Sequence, residues 1–402
     1  MNRIAILENS IQEYDWGSMT FIPDLIGRSS PAKRPKAEMW MGSHPKAASM
    51  AVYDGDRISL AELINRDPSG ILGISTAEKF ANKLPFLFKV IAAEKPLSIQ
   101  CHPDKKHAKE GFMRENMNKI PLDSPERNYR DEEHKPELIC ALEHLWALKG
   151  FREIEDILEI TDKLGTSAEG LGVDILKRQP NKGHLRRFFI TLMNMAGDKK
   201  QKLLNEIVGR IKGFSPLSPV FEWILRLNSD YPGDIGVLSP LFLNIIHLQP
   251  TDAMQINSGE LHAYLEGAGL ELMANSDNVI RGGLTKKHVD LPELLNILDF
   301  KSHVPDILRP ERVDRSEAFY PATAEEFMLS VISLDNKDSV YTSSLSRSAE
   351  IMICIDGDAR VTNHGTGDVL EVHRGMSLFI PAGVKQYLIQ GKATIYKASV
   401  PL

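Results

Sequence analysis

At 402 residues the chain is too long for one ordinary hydrophobic core, so two or three domains are expected. Hydrophobic content of 42% and charged content of 25% are those of a globular protein in water, and a formal charge of −6 without a long Lys/Arg run argues against a nucleic-acid surface. Nowhere do about 18 apolar residues run together, the least that a spanning helix needs, and the opening MNRIAILENSIQEYDWG has charges inside its only apolar stretch, unlike a secretory leader. Three widely spaced cysteines (Cys101, Cys140, Cys354) fit a reducing compartment better than a disulfide framework. The expectation is a cytoplasmic, monomeric protein with neither nucleic acid nor membrane among its partners.

From residue 1 to about 150 the apolar runs are short and punctuated by Pro, Gly and Asn/Asp, the pattern of strands and loops. In PLSIQCH (96–102), Leu97, Ile99 and Cys101 fall on one face of an extended strand and Ser98, Gln100 and His102 on the other. A polar face on an apolar strand predicts the wall of a pocket. After Gly150 the period changes: Ile154, Ile157, Leu158 and Leu164, then Leu203, Leu204, Ile207 and Ile211, recur at helical spacing. Residues 151 to 238 therefore read as a helical insertion whose single histidine, His184, is assigned to the surface. Strand patterns resume at LSPLFLNIIHLQP (238–250) and continue to the C-terminus, apart from a helix at LPELLNIL (291–298).

LQPTDAMQINSGELHAYLEG (248–267) and VHRGMSLFIPAGVKQYLIQG (372–391) align without a gap: Ile256 meets Ile380, Gly259 meets Gly383, and Gly267 meets Gly391. Both resemble the second half of the cupin signature, in which a glycine, Pro-x-Gly and a metal-binding histidine follow one another. The first copy keeps the histidine, His262; the second has Gln386 in its place. The fold expected is mainly β with a helical insertion: two cupin-like jelly-roll β-barrels plus an α-helical domain. The boundaries are 1–150 and 239–310 for the metal-competent catalytic domain, 151–238 for the insertion, and 311–402 for a C-terminal jelly roll without a metal site.

Gln100 and His102 on one strand face, Glu137 at the start of ELICAL (137–142), and His262 can converge on a divalent ion. Two imidazoles, a carboxylate and an amide oxygen suit zinc with a position left open for water or substrate. The two histidines and carboxylate alone also match the facial triad of non-haem iron oxygenases, and that alternative stays open at this level.

Three stretches together resemble the type I phosphomannose isomerases: PLSIQCHPDK (96–105), YRDEEHKPEL (129–138) and HAYLEGAGLELMANSDNVIRGGLTKK (262–287). YDWGS (14–18) and AEMWMGSHPKA (37–47) match the same family. Glu133, Gly282, Lys286 and Cys101 depart from its pattern without removing a ligand. The resemblance implies one zinc per chain on Gln100, His102, Glu137 and His262. It implies Arg281 as the leading catalytic residue, with Lys135, His134 and Asp277 as proton-transfer or orienting residues. Ser98, Lys89 and Lys287 are implied as phosphate or sugar contacts, and Trp16, Glu38 and Trp40 as cleft lining.

The reaction implied moves a proton between C1 and C2 of a sugar phosphate through an enediol(ate), so the site must stabilise negative charge developing on oxygen. Arg281, in what reads as a Gly-rich turn (RGG), and Lys135 supply positive charge to the oxyanion and the phosphate. Two rivals remain: an iron-dependent cupin dioxygenase, against which the cations argue, and a sugar-phosphate-binding cupin without activity.

Overall fold

The structure, a computed structural model, describes residues 2–53 and 55–402, apart from the side chains of residues 167 and 168. It is built on two antiparallel sheet systems of ten and eleven strands, with helices inserted between Phe151 and Leu243. Among the described residues no helix is long and apolar enough to cross a membrane.

The ten-stranded system is organised by the 13-residue strand His262–Ala274. Its first half pairs with Leu145–Phe151, its second half with Glu137–Ala141 and Phe86–Ala93, and His262 also pairs with Gln100 on Ile99–Cys101. The change of partner falls at Gly267, whose φ is +116° and where a Cβ would stand 2.2 Å from the His144 carbonyl oxygen. Only glycine fits there.

The eleven-stranded system repeats the device. Its strand Tyr387–Ser399 is also 13 residues long and begins just after Gln386. Gly391 bends it at φ +151°, where a Cβ would lie 2.4 Å from the Asp358 carbonyl oxygen. The aligned glycines of the sequence repeat thus mark the same bend in two long strands.

The helices Ile154–Asp162, Asp174–Arg178, Lys182–Met193, Gly197–Ile211 and Pro219–Asp230 form the insertion. They bury Phe188, Phe189 and Leu204 in one core with Leu148, Phe151 and Leu265 of the ten-stranded system. His184 sits in the first turn of its helix, where its backbone N–H donates to the capping Asn181 side chain. A second core joins the two sheet systems through Val90, Leu270, Ile351, Phe379 and Ala398. Burying each such side chain contributes roughly 1.5–3 kcal/mol, so the sheet systems are not independent.

Three features differ from the expectation. Residues 1–150 are not only strands and loops: they carry the 13-residue helix Lys105–Met117 and three short helices between Leu60 and Lys79. The long helix buries Ala108, Gly111 and Glu115, two small residues and a carboxylate, so no apolar stripe marks it. Glu115 is held by the backbone N–H groups of Asn128 and Tyr129 and by Arg127. The N-terminal strands Ala5–Glu8, Met50–Tyr53 and Asp56–Ser59 continue the eleven-stranded sheet, with Ala5–Glu8 paired to Ser377–Ile380, so the sheets cut across a boundary drawn at 311. Finally, Arg281 lies on the short strand Ile280–Gly283 rather than in a turn.

Candidate metal centre

Gln100 stands opposite His262 on one side and opposite Arg281 on the other. Residues directly opposite in antiparallel strands project to the same face, so an amide, an imidazole and a guanidinium leave one patch of sheet together. The pairing slips between Arg281 and Gly283, a bulge of the kind that re-aims a side chain beside a site.

His102 follows that strand and is fully buried. Its Nδ1 is 2.8 Å from the Asn278 carbonyl oxygen, to which it donates, and its Nε2 is buried without a hydrogen-bond partner. The Nδ1 of His262 likewise lies 3.1 Å from the Glu260 carbonyl oxygen. Both rings therefore turn Nε2 toward Glu137, at 3.3 Å from Oε1 for His102 and 3.4 Å from Oε2 for His262. One ligand atom from each of the three lies within 4.8 Å of the others. Two donors each about 2 Å from one tetrahedral ion must lie about 3.3 Å apart, so the spacing fits a zinc-sized dication. Fixing the outer nitrogen of each imidazole on a carbonyl is the second support such ligands need.

The electrostatics agree. Burial, reinforced by the charge of Lys135, holds His102 down at about 4, so the ring is neutral and its lone pair available. Burial alone would raise Glu137, but Lys135 and the two histidines outweigh it and hold the carboxyl well below its ordinary range. The Lys135 ammonium is 3.0 Å from Glu137 Oε1. Cys101, between Gln100 and His102 in sequence, lies in the core shared with the helices, and burial pushes its thiol up.

Beside the metal cluster lies a second buried group. Lys89 is 2.8 Å from Glu271 and 3.5 Å from Glu38, and the Trp40 indole donates to Glu38 at 2.5 Å. Lys89 sits over the Trp40 ring, 5.3 Å from its centre. Burial opposes the Lys89 charge, but Glu271, Glu38 and Glu137 raise its pKa well above the ordinary value, so it is an ammonium. Trp16 stacks on Tyr14 and packs, partly buried, against the cluster that contains Ile91 and Tyr264.

Other candidates have partners of their own. Asp277 is 2.7 Å from Lys46 and 3.5 Å from His44; burial raises its pKa, yet these two hold it well below the ordinary aspartate value. His134 reaches Glu326 at 2.8 Å, on the segment leading into the eleven-stranded sheet. Ser98 is half-buried on the loop before the Gln100 strand, and Lys287 is exposed. Gln386 donates its amide to the Ser343 carbonyl at 3.4 Å.

Arg130 was missed in the sequence. Arg281 is held below its usual range by burial and by the charge of Arg130, and Lys287 by burial, Arg281 and Arg130. Three cations thus act on one another. A cluster of one sign of charge attracts ions of the other. Arg130 flanks the HKPE motif, and only the fold brings its charge to bear on Arg281 and Lys287. Asn278 was missed as well: its side-chain oxygen accepts from the Arg130 and Asp131 N–H groups, and its amide donates to the Glu133 carbonyl.

The chain matches the description "Phosphomannose isomerase type I, catalytic domain" over residues 4–154, the type I helical insertion domain over 165–243, and the mannose-6-phosphate isomerase cupin domain over 316–400. It is 38% identical to mannose-6-phosphate isomerase of Escherichia coli over 387 residues, 96% of each chain. Mannose-6-phosphate isomerase 1 of Arabidopsis thaliana is 31% identical over 420 aligned residues, covering 99% of this chain and 94% of that protein. A crystal structure of the Salmonella typhimurium mannose 6-phosphate isomerase bound to its substrate and zinc superimposes with a TM-score of 0.91 at 35% identity, covering 99% of this chain and 100% of that one. On the motifs, the fold and these likenesses, the chain belongs to the type I phosphomannose isomerases.

Proposed function

We propose that this chain is a zinc-dependent aldose–ketose isomerase that interconverts mannose 6-phosphate and fructose 6-phosphate through an enediol(ate). The observation that carries the reading is the pair of imidazole Nε2 atoms facing Glu137, set beside the strand pair that presents Gln100 and Arg281. His102, Glu137 and His262 would hold the zinc, with Gln100 as fourth ligand. With one carboxylate among neutral donors, the bound ion keeps a net positive charge and polarises the sugar oxygens.

The chain's own residues do the rest. Arg281 aims a permanently charged fork at the oxygens on which negative charge develops. Arg130 and Lys287 neutralise the phosphate, with Ser98 as a neutral contact. The Lys89, Glu38 and Trp40 group lines the sugar end of the cleft and keeps it rigid. Of the groups named for proton transfer, Asp277 is too weak a base once His44 and Lys46 hold its charge, and His134 is turned to Glu326. Lys135 remains, an ammonium beside Glu137 placed to donate to a sugar oxygen. We assign Asp277 to orientation and His134 to positioning.

The three cysteines are buried and unpaired, which supports a reducing cytoplasm, and we expect a monomer acting on a soluble substrate. The cations around Arg281 favour a phosphate-bearing substrate over dioxygen. A coupled assay for fructose 6-phosphate with and without chelator, paired with elemental analysis, tests the reading. We expect activity that tracks one zinc per chain; full activity after complete metal removal refutes it.

A further inference from the structure

A second pair of imidazoles meets on the outer side of the metal-bearing sheet. His247 lies on the strand Leu243–Leu248 directly opposite Trp146, and His144 immediately precedes the strand Leu145–Phe151 that carries Trp146. The Nδ1 of His144 is 3.2 Å from the Nε2 of His247. Trp146 lies flat on the His247 ring, 4.0 Å between centres and 3° between planes. Its other neighbour, Trp223 of the helical insertion at 5.9 Å, shows that this is the face the helices cover. The Gln249 amide stands 3.4 Å from the Nδ1 of His247 and, with Trp146, holds the ring with Nε2 toward His144.

We propose that His144 and His247 form a second, exposed site for a first-row transition-metal dication of the kind imidazole favours: copper(II), nickel(II) or zinc(II). Two imidazole nitrogens on one tetrahedral ion are about 3.3 Å apart, so the present spacing is already that of a chelating pair, and a tilt of each ring turns the lone pairs from one another onto the ion. One proton now lies between the two nitrogens, and a cation replaces it. Neutral imidazole is the ligand form, and burial together with His144 keeps His247 below its ordinary pKa. No carboxylate is bonded to either ring, and Glu266, opposite Trp146 on the next strand, is already engaged by Arg226. With two protein donors and the remaining positions open to water, this site is weaker than the buried one, and its metals rank in the Irving–Williams order.

Trp146 supplies the readout. Nickel(II) titrated into the full-length, zinc-loaded protein should quench tryptophan fluorescence saturably, and equilibrium dialysis should find one nickel per chain above the retained zinc. His144→Ala and His247→Ala should each weaken that nickel at least tenfold without loss of zinc. His247→Gln should weaken it as much while keeping a polar side chain of similar reach. Trp146→Phe should remove most of the quenching while dialysis still finds the nickel. Nickel bound with unchanged affinity in both histidine variants, or no saturable nickel in the parent protein, overturns the proposal.

Discussion

The Nδ1 of His102 donates to the backbone carbonyl of Asn278 at 2.8 Å, and the Asn278 side chain in turn holds the loop that precedes Lys135 and Glu137. One residue therefore orients a histidine just past one strand and the start of the strand that carries Glu137. Asn278→Ala removes the side-chain links and leaves the carbonyl free to drift. Metal affinity should fall about 10- to 100-fold, the loss typical of removing such a support. Competition with a chelator of known affinity measures it; unchanged retention would show that the loop is held by other means.

Replacing the proposed ligands one at a time should give an ordered series. Gln100→Ala removes a neutral donor at a half-buried position, whereas Glu137→Ala removes the one negative charge and leaves Lys135 buried without its partner. Zinc remaining after desalting should be lowest for Glu137→Ala. The reverse order would mean that charge does not dominate binding.

Arg281 should act on the transition state more than on ground-state binding. Arg281→Ala is expected to lower kcat by about 10²–10³, the cost typical of losing one oxyanion donor, with a much smaller change in KM. Arg281→Lys should recover part of that, keeping the charge but not the planar fork. Arg130→Ala should do the opposite, raising KM while kcat stays near normal. Steady-state kinetics on both variants decide between the roles.

Asp277 predicts part of the acid limb of stability. His44 and Lys46 hold its folded-state carboxyl below the unfolded value of about 3.9. A depressed carboxyl contributes fully above that value and loses its contribution as the pH falls through it toward the folded-state value. Asp277→Asn should therefore flatten the decline of Tm between about pH 5 and pH 2 relative to the parent protein. Parallel curves would place the acid sensitivity elsewhere.

What the sequence disclosed was what strand alternation and motif can carry. The shared face of Gln100 and His102 needs only the two-residue period, and the glycines Gly267 and Gly391 stood out because each permits a bend that no side chain allows. The helix Lys105–Met117 was invisible because its buried face is made of Ala108, Gly111 and Glu115. The hold of His44 and Lys46 on Asp277, of Glu326 on His134, and the approach of Arg130 to Arg281 all join segments far apart in the chain, and no local pattern records them. Arg281 read as part of a turn because glycines follow it, whereas those glycines shape a bulged strand end.

The place of Ala5–Glu8, between Met50–Tyr53 and Ser377–Ile380, also has a consequence for synthesis. A nascent chain makes this strand more than 300 residues before its second neighbour, so one edge stays open while the residues between are translated, the kind of edge that invites wrong pairing. All the residues proposed to hold the metal have been made by His262, before the partner strand exists. The donors of that cluster are thus all in place in the chain while the first strand still lacks its neighbour, and the core that joins the two sheet systems can close only after both have been made.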